Sequence, residues 1–341
     1  MKGFFQKFIL LAAFALVLRF LFAPTTLTAA KIGLRELGTN ERFTAALLGG
    51  SLPEPDAAVV SSESSAPTPS PPPKKPLMLK TDAAQTALFH TLPADDNPGE
   101  LVLKNKTSYE IDTQRLLAEP LPYTLKVGTP QILILHTHGS EAYSQKGGAY
   151  EETDVSRTTD TTKNVVQVGE VLTRELSARG LTVIHDCELY DYPSYSGSYS
   201  RSLSSVEDYL RKYPTIKVII DLHRDSATDE HGTVYRTEYV TPDGETSSQL
   251  MLIAATGEAG LSFPGWEENM KLALRLQQSM AAAYPGLARP ILVSDQRYNQ
   301  HAAPGYLLLE VGTDGNTLAE AETAARLFAH CMADVLGEIV E

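Results

Sequence analysis

From Thr129 onward the sequence alternates between short apolar runs and longer stretches with helical spacing, and this alternation constrains the fold more than any other feature. The run over residues 131–135 predicts a strand, and the apolar positions within residues 164–179 predict a helix that Gly180 ends. Further strands are predicted over residues 181–184, 216–222 and 306–310, and further helices over residues 203–213, 267–284 and 318–336. Such alternation is typical of an α/β fold with a mostly parallel sheet flanked by helices.

Two more runs predict a β-hairpin added at one edge of this sheet. Residues 234–240 and 249–255 have strand-like composition, and Pro242, Asp243 and Gly244 between them favour a turn. A composition with 43% hydrophobic and 21% charged residues supplies ample apolar surface for a core. We therefore expect one large α/β domain over residues 125–341, preceded by segments of different character.

Polar side chains follow three of the predicted strands at the point where each strand ends. His136, His138 and Glu141 follow the first strand, His223 follows another, and Glu310 closes the last one. Because open parallel sheets carry their sites at the carboxyl ends of strands, these side chains can converge in space. Two histidines and two carboxylates around one point match a catalytic zinc site, where three protein ligands leave a fourth position for water.

Other assignments of these residues stay open. A histidine after a strand is more often a hydrogen-bonded loop residue than a ligand, and His136 is either a rival first ligand or a hydrogen-bond partner of the loop or the substrate. Glu151, Glu152 and Asp160 lie in a polar loop and are weaker candidates for a ligand. Ser140 is not part of a Gly-x-Ser-x-Gly motif, which argues against a serine hydrolase.

The triplet His223-Arg224-Asp225 is similar to the catalytic loop of protein kinases. The sequence has neither the Gly-rich phosphate loop nor the Asp-Phe-Gly motif that kinase chemistry also requires, so a kinase is excluded. We expect instead a local ion pair between Arg224 and Asp225, with Arg224 also within reach of a substrate carboxylate.

The segment over residues 191–202 is dense in Tyr, Ser and Gly and lies between a predicted strand and a predicted helix. This composition suits the recognition of polar sugars and peptides by ring stacking and hydroxyl hydrogen bonds. Tyr195, Ser198 and Arg201 are the candidate substrate-binding residues of the segment. An Ω-loop that caps the next helix explains the same composition equally well.

The amino terminus has the composition of an export segment. Lys2 and Lys7 precede an apolar run over residues 8–18, and Arg19 separates this run from a second apolar patch. Residues 4–23 are long enough to span a bilayer, whereas residues 28–30 only loosely match a cleavage site. We therefore expect residues 1–30 to be an uncleaved single-pass membrane anchor rather than a cleaved signal, with the rest of the chain outside the cytoplasm.

Residues 31–76 form a linker region rich in Pro and Ser, a composition that behaves as an extended tether, and residues 77–124 are a lead-in without clear periodicity. The net charge of −13 argues against a nucleic-acid partner, because phosphate contacts need a surplus of Lys and Arg. Two cysteines, Cys187 and Cys331, are too few for a disulfide framework, and we expect both to be buried free thiols.

Taken together, these motifs resemble the stage II sporulation protein P family over roughly residues 125–341. The resemblance is carried by residues 136–143, the helix start at Asn164, and residues 191–195, 220–225 and 309–312. It implies an amidase-like fold and a membrane-anchored peptidoglycan hydrolase used in engulfment during sporulation, with N-acetylmuramoyl-L-alanine amidase and endopeptidase activity. It also implies a complex with sporulation proteins D and M.

The family is distantly similar to zinc amidases, and this similarity implies roles for individual residues. His138 and His223 match two zinc ligands, and Glu310 in the sequence Glu-Val-Gly matches the catalytic glutamate. The amidases carry their middle ligand, a Glu, at the start of a helix where this chain has Asn164, so Glu141 is the expected substitute. A non-catalytic scaffold that binds cell wall, or a zinc deacetylase or peptidase acting on another envelope substrate, are the alternative functions.

Overall fold

The structure is a computed structural model that describes residues 90–91, 100–144, 156–228, 230 and 234–341. The expected anchor over residues 1–30, the linker region over residues 31–76 and part of the lead-in lie outside these described residues. Within the described ranges, no helix combines the length and the hydropathy that crossing a membrane would require.

A seven-stranded sheet organises the described part of the chain. The described residues contain eleven strands, of which seven belong to this sheet. In chain order, all eleven are β1 (His90–Thr91), β2 (Leu103–Asn105), β3 (Ile132–Leu135), β4 (Val183–His185), β5 (Val218–Asp225), β6 (Tyr235–Arg236), β7 (Tyr239–Val240), β8 (Thr246–Ser247), β9 (Leu250–Ala255), β10 (Ile291–Ser294) and β11 (Gly305–Thr313). The main sheet has the order β2-β10-β9-β11-β5-β3-β4, and only the contact between β9 and β11 is antiparallel. The predicted α/β fold with a mostly parallel sheet is confirmed.

Helices cover both faces of this sheet. They are α1 (Thr113–Ala118), α2 (Val165–Ala178), α3 (Ser198–Lys212), α4 (Trp266–Ala283) and α5 (Leu318–Gly337). Strand β3 shows why both faces are covered: Ile132 and Ile134 pack in the cluster that contains α2, α4 and α5, whereas Leu133 and Leu135 pack in the cluster that contains α3. Because successive side chains of a strand point to opposite faces, an unbroken apolar strand must be buried from both sides.

Helices α2 and α5 begin at well-defined caps. The side chain of Asn164 accepts a hydrogen bond from the backbone of Val166 and thereby starts α2. Thr317 and Glu320 form a reciprocal capping box at the start of α5. Polar residues at these positions therefore fix where each helix begins.

The predicted hairpin is placed differently in the structure. Its two arms are β7 and β8, which pair antiparallel, and residues 249–255 do not belong to it. These residues form β9, an interior strand of the main sheet between β10 and β11, so their assignment as a hairpin arm is wrong. The physical reason is that residues 250–255 are almost all apolar and buried on both faces, which an interior strand requires and an edge hairpin does not.

Several short elements have no counterpart in the sequence prediction. Strands β2 and β10 and helix α1 are too short to show a periodic pattern, and α3 begins five residues earlier than predicted because its first turn is polar. Both cysteines are free. Cys331 is buried as expected, but Cys187 is exposed, so the expectation of two buried thiols is wrong for Cys187.

Candidate active site

Three neighbouring parallel strands end at one edge of the sheet and carry the predicted site residues there. In the register of the sheet, Glu310 of β11 lies beside His223 of β5, and β3 pairs with β5 on the other side. After β3 the chain turns back, so that the backbone N–H of Glu141 donates to the carbonyl of His138 over 3.1 Å. Strand order and this turn bring the four residues into one cluster.

His138, Glu141 and His223 form the centre of the cluster and are only 7%, 6% and 3% exposed. The Nδ1 atom of His223 lies 3.5 Å from Oε2 of Glu141, and the rings of His138 and His223 meet edge to face with centroids 5.2 Å apart. Nδ1 of His138 and Oε2 of Glu310 are buried and have no hydrogen-bond partner among the described residues. Such atoms are rare in folded proteins, so they are candidates for binding a substrate or an ion.

The carboxylate of Glu141 is held by donors on two sides. Its Oε2 atom accepts a hydrogen bond from the backbone N–H of Arg224 over 3.0 Å, and its Oε1 atom accepts one from Arg157 over 3.4 Å. Burial acts to raise the pKa of Glu141, but the hydrogen bond and charge of His223 and the charge of Arg224 lower it below its usual value. Glu141 is therefore ionised and fixed in position.

Asp221 is the principal residue of the site that the sequence prediction missed. Its Oδ1 atom lies 2.9 Å from Nε2 of His223 and also accepts from the backbone N–H of Thr137, while the Thr137 hydroxyl donates to Oδ2 over 2.6 Å. Asp221 is fully buried and precedes His223 by two residues in β5, so both side chains lie on the same face of the strand. A lone carboxylate inside an apolar strand is the signal that would have revealed it.

Charge is distributed unevenly over the cluster. Burial acts to lower the pKa of His223, but the carboxylates of Asp221 and Glu141 raise it well above its usual value. Burial and the charge of His223 lower the pKa of His138 to about 4. Burial raises the pKa of Glu310 to about 8, with the charge of Glu141 acting in the same direction and that of His223 against it. The site thus combines a neutral imidazole, ionised carboxylates and a carboxyl group that titrates near neutrality.

The side chains of the cluster are of the types that bind zinc. As they stand in the structure, however, no group of three or more His, Cys, Asp or Glu side chains within the described ranges is arranged to hold a metal ion. The 3.5 Å between Nδ1 of His223 and Oε2 of Glu141 is nevertheless close to the edge of a zinc tetrahedron with bonds of about 2.1 Å. His138 offers a further buried donor, and Asp221 lies behind His223 as carboxylates do behind metal-binding histidines. These residues therefore fit zinc by their donor chemistry.

Aromatic side chains line the site next to His138. The ring of Tyr195 stacks on the ring of His138 with centroids 4.4 Å apart, and the guanidinium of Arg157 lies 4.7 Å from the centroid of Tyr195 on top of it. Tyr199 meets the same histidine edge to face, and Tyr298 lies beside Tyr199. The predicted substrate residue Tyr195 is thus at the site, and Tyr199 and Tyr298 join it there.

Two other predicted substrate-binding residues, His136 and Arg201, contact protein groups through their polar atoms. His136 is fully buried, and its two ring nitrogens contact the carbonyl of Leu222 and Nε2 of His185, each at 2.9 Å. Arg201 donates to the backbone carbonyls of Tyr190 and Ser196 and so braces the loop instead of facing a ligand. These contacts argue against a substrate-binding role for His136 and Arg201, because the ring nitrogens of His136 and the guanidinium of Arg201 already contact protein groups.

Arg224 also makes its contacts within the protein, and Ser198 is buried. The guanidinium of Arg224 donates to the carbonyls of Ser156 and Asp225, and its side chain lies 3.7 Å from Asp314. Asp225 forms its ion pair with Arg289 and not with Arg224, so the predicted local pair is wrong. Ser198 is buried in the first turn of α3. Residues from other segments bind Arg224 and Asp225, and the local sequence does not reveal these partners.

The weaker ligand candidates are not part of the cluster either. Asp160 is exposed, and it accepts hydrogen bonds from the backbone and hydroxyl of Thr162 and pairs with Lys163. The hydrogen bonds from Thr162 and Lys163 lower the pKa of Asp160 to about 2. Glu151 and Glu152 lie outside the described residues.

Comparison with known proteins places this site in a family. The model of the family described as stage II sporulation protein P (SpoIIP) matches residues 47–333, which is most of the chain and includes every residue of the cluster. The chain belongs to the stage II sporulation protein P family. A curated relative, the stage II sporulation protein P of Bacillus subtilis (strain 168), is 27% identical over 277 residues, which are 75% of this chain and 64% of the relative. The SpoIIP chain described here therefore matches less than two thirds of the length of that relative.

The solved structures that are similar to this chain include two amidases. The CwlD amidase from Clostridioides difficile, in complex with the GerS lipoprotein, is 12% identical with a TM-score of 0.38, and the match covers 61% of this chain and 98% of that one. The amidase Ami1 from Mycobacterium abscessus is 13% identical with a TM-score of 0.36, covering 62% of this chain and 99% of that one.

Proposed function

We propose that this chain is a peptidoglycan hydrolase of sporulation and that it cleaves the amide bond between N-acetylmuramic acid and L-alanine. Membership of the stage II sporulation protein P family supports a sporulation role. The observation that carries the chemistry is the cluster of His138, Glu141, His223 and Glu310 at the carboxyl ends of adjacent strands. Endopeptidase activity on the peptide cross-links is part of the same proposal.

His138, Glu141 and His223 would hold a zinc ion, because they offer two imidazoles and one ionised carboxylate in a nearly closed, buried cluster. When bound, zinc polarises the scissile carbonyl and lowers the pKa of water at the site. Asp221 holds the ring of His223 from behind and so fixes which nitrogen faces the cluster. The residues that would hold the metal are thus kept in place by β5 and by the turn after β3.

Glu310 acts as the proton carrier of the reaction. Its Oε2 atom is buried and has no hydrogen-bond partner among the described residues, and its pKa, raised by burial to about 8, suits a carboxyl group that takes up a proton from the attacking water and gives it back near neutral pH. The same carboxyl group then delivers the proton to the departing alanine nitrogen as the carbon–nitrogen bond breaks. Proton transfer by a positioned side chain is typically worth about 10²- to 10⁴-fold in rate.

The location and partners of the enzyme are part of the proposal. We propose that residues 1–30 anchor the chain in the membrane, that the linker lets the catalytic domain reach the wall outside the cytoplasm, and that sporulation proteins D and M bind it. A chain labelled at an engineered residue beyond 77 tests the orientation, because a membrane-impermeant reagent should reach that label in intact cells. Labelling only after cell lysis would contradict the extracytoplasmic location.

The hydrolase proposal is tested by incubating the full-length chain, with zinc, on purified peptidoglycan. Mass spectrometry should detect stem peptides with a free L-alanine amino terminus and glycan strands that have lost their peptides. Glu310→Gln should keep the zinc content of the wild type and lose at least about 10²-fold in rate. Glu207→Gln, the same exchange at an exposed position of α3, is the matched control and should behave as the wild type.

The products also separate the proposal from its alternatives. Release of acetate would indicate a deacetylase, and cleavage of peptide bonds alone would indicate a peptidase. Tight binding to peptidoglycan without any product would indicate a scaffold. Equal rates for the wild type and Glu310→Gln would remove Glu310 from the mechanism.

A further inference from the structure

Tyr199 is an aromatic residue of the site to which no role has been given so far. It lies in the first turn of α3, two residues after Gly197, whose φ of +80° suits glycine, and its ring meets the ring of His138 edge to face with centroids 5.4 Å apart. Among the described residues, no protein group forms a hydrogen bond with its hydroxyl. The ring is therefore placed beside a proposed metal ligand while its polar atom is left available.

The backbone of Tyr199 is clamped in place from a distant part of the chain. The side chain of Asn299 donates to the carbonyl of Tyr199 over 2.7 Å, and Ser202 donates to the same carbonyl over 3.2 Å. Asn299 and the preceding Tyr298 have φ values of 59° and 45°, in the left-handed region that non-glycine residues seldom adopt. Strained backbone of this kind persists where surrounding contacts enforce it, and it is frequent at functional sites.

The same clamp connects Tyr199 to the inner part of the site. The Oγ atom of Ser202 lies 2.8 Å from Oγ1 of Thr137, and the Thr137 hydroxyl donates to Asp221, which supports His223. One network of hydrogen bonds thus fixes both the proposed metal ligand and the tyrosine. The hydroxyl of Tyr199 is rigidly placed and forms no hydrogen bond within the part of the chain that the structure describes, which suggests that its partner is the substrate.

The surroundings of Tyr199 decide its protonation state. Burial raises the pKa of Tyr199 far above its usual value, and the negative charges of Asp221, Glu310 and Glu141 act in the same direction. A phenol is protonated at neutral pH even at its ordinary pKa of about 10, so the Tyr199 hydroxyl can donate to a substrate oxygen.

We propose that the Tyr199 hydroxyl donates a hydrogen bond to the carbonyl oxygen of the scissile amide as negative charge develops on that oxygen. This inference rests on the proposed amide hydrolysis. Water adds to the carbonyl carbon, Glu310 carries its proton to the leaving nitrogen, and the carbon–nitrogen bond breaks. Tyr199 keeps its proton throughout and stabilises the oxyanion, as a fixed donor in a buried site does most effectively.

The test compares Tyr199→Phe with the wild type in the full-length chain, using a soluble muropeptide so that kcat and KM can be separated. The exchange removes one hydroxyl that has no hydrogen-bond partner among the described residues, so Tm and zinc content should equal those of the wild type. We expect kcat to fall about 10²- to 10³-fold, as on removal of one oxyanion donor, with KM changed less than about threefold. Tyr209→Phe on the same helix should leave both constants unchanged.

Three results would overturn the inference. A kcat equal to that of the wild type would show that the hydroxyl makes no contact in the transition state. A rise in KM with unchanged kcat would assign Tyr199 to ground-state binding instead. A wild-type chain that releases no peptide from the muropeptide would contradict both the proposed function and this inference. An active wild type with an equally active Tyr199→Phe variant would contradict only the inference.

Discussion

Replacing Gly169 by alanine should destabilise the protein, although the sequence suggests the opposite. Gly169 lies in the interior of α2, where alanine is normally favoured over glycine by about 1 kcal/mol. In the structure, however, a Cβ atom at this position would lie 2.6 Å from Nε2 of His136 and 2.6 Å from Nε2 of His185. These two nitrogens are themselves joined by a contact of 2.9 Å.

The size of the destabilisation follows from the displacement that a Cβ atom at position 169 would force on its neighbours. Ordinary contacts of a Cβ atom begin near 3.4 Å, so His136 or His185 must shift by roughly 0.8 Å or α2 must move off the sheet. Overpacking of this kind costs about 1–3 kcal/mol. Separation of the two rings also removes a buried hydrogen bond, which is worth about 1 kcal/mol. After the gain in helix propensity, we expect Gly169→Ala to lower the free energy of unfolding by about 2 kcal/mol.

Urea denaturation followed by circular dichroism measures this change, and the matched control is Gly337→Ala. Gly337 ends α5, and a Cβ atom there would have no neighbour within 4 Å, so this variant should be as stable as the wild type or up to about 1 kcal/mol more stable. If Gly169→Ala matches the wild type or exceeds it, the steric argument is wrong. His136 precedes His138 by two residues, so a loss of zinc affinity should accompany the destabilisation.

Other predictions concern the thiols and the residues behind the site. A thiol reagent should modify one cysteine in the native protein, because Cys187 is exposed, and a second only after unfolding, because Cys331 is buried; two equally fast thiols would contradict this. Asp221→Asn should keep the fold and weaken zinc binding about 10- to 100-fold, because the ring of His223 loses a charged support; unchanged retention of zinc against a chelator would refute that role. Arg157→Ala should raise KM, because Arg157 packs on Tyr195; an unchanged KM would count against it.

The local sequence pattern was sufficient to predict the strands that are continuous apolar runs and the helices whose apolar residues recur at helical spacing. Strands β3, β5 and β11 are apolar on both faces, and helices α2, α4 and α5 have apolar residues at helical spacing, so each was predictable from its own residues. The rule that sites lie at the carboxyl ends of parallel strands then grouped His138, His223 and Glu310 without further information. Glu141 was reachable because it belongs to the same short segment as His138.

The tertiary structure alone decided how polar groups are partnered. His136 and His138 both follow β3, but His136 meets Leu222 and His185 inside the core whereas His138 faces the cluster. Arg224 was expected to pair with its neighbour Asp225, yet partners from distant segments bind both.

The physical reason is that hydrophobic periodicity is local in sequence, whereas hydrogen bonds and ion pairs join groups that are distant in sequence. Hydrophobic periodicity is a property of a single element, because each strand or helix must bury one or both of its faces wherever it packs. Hydrogen bonds and ion pairs depend on distances of a few ångström between groups that are remote in sequence, such as Asp221 and Thr137 or Tyr199 and Asn299. The sequence by itself therefore determined the sheet and the edge that carries the site, and only the packed chain determined which side chains face the substrate there.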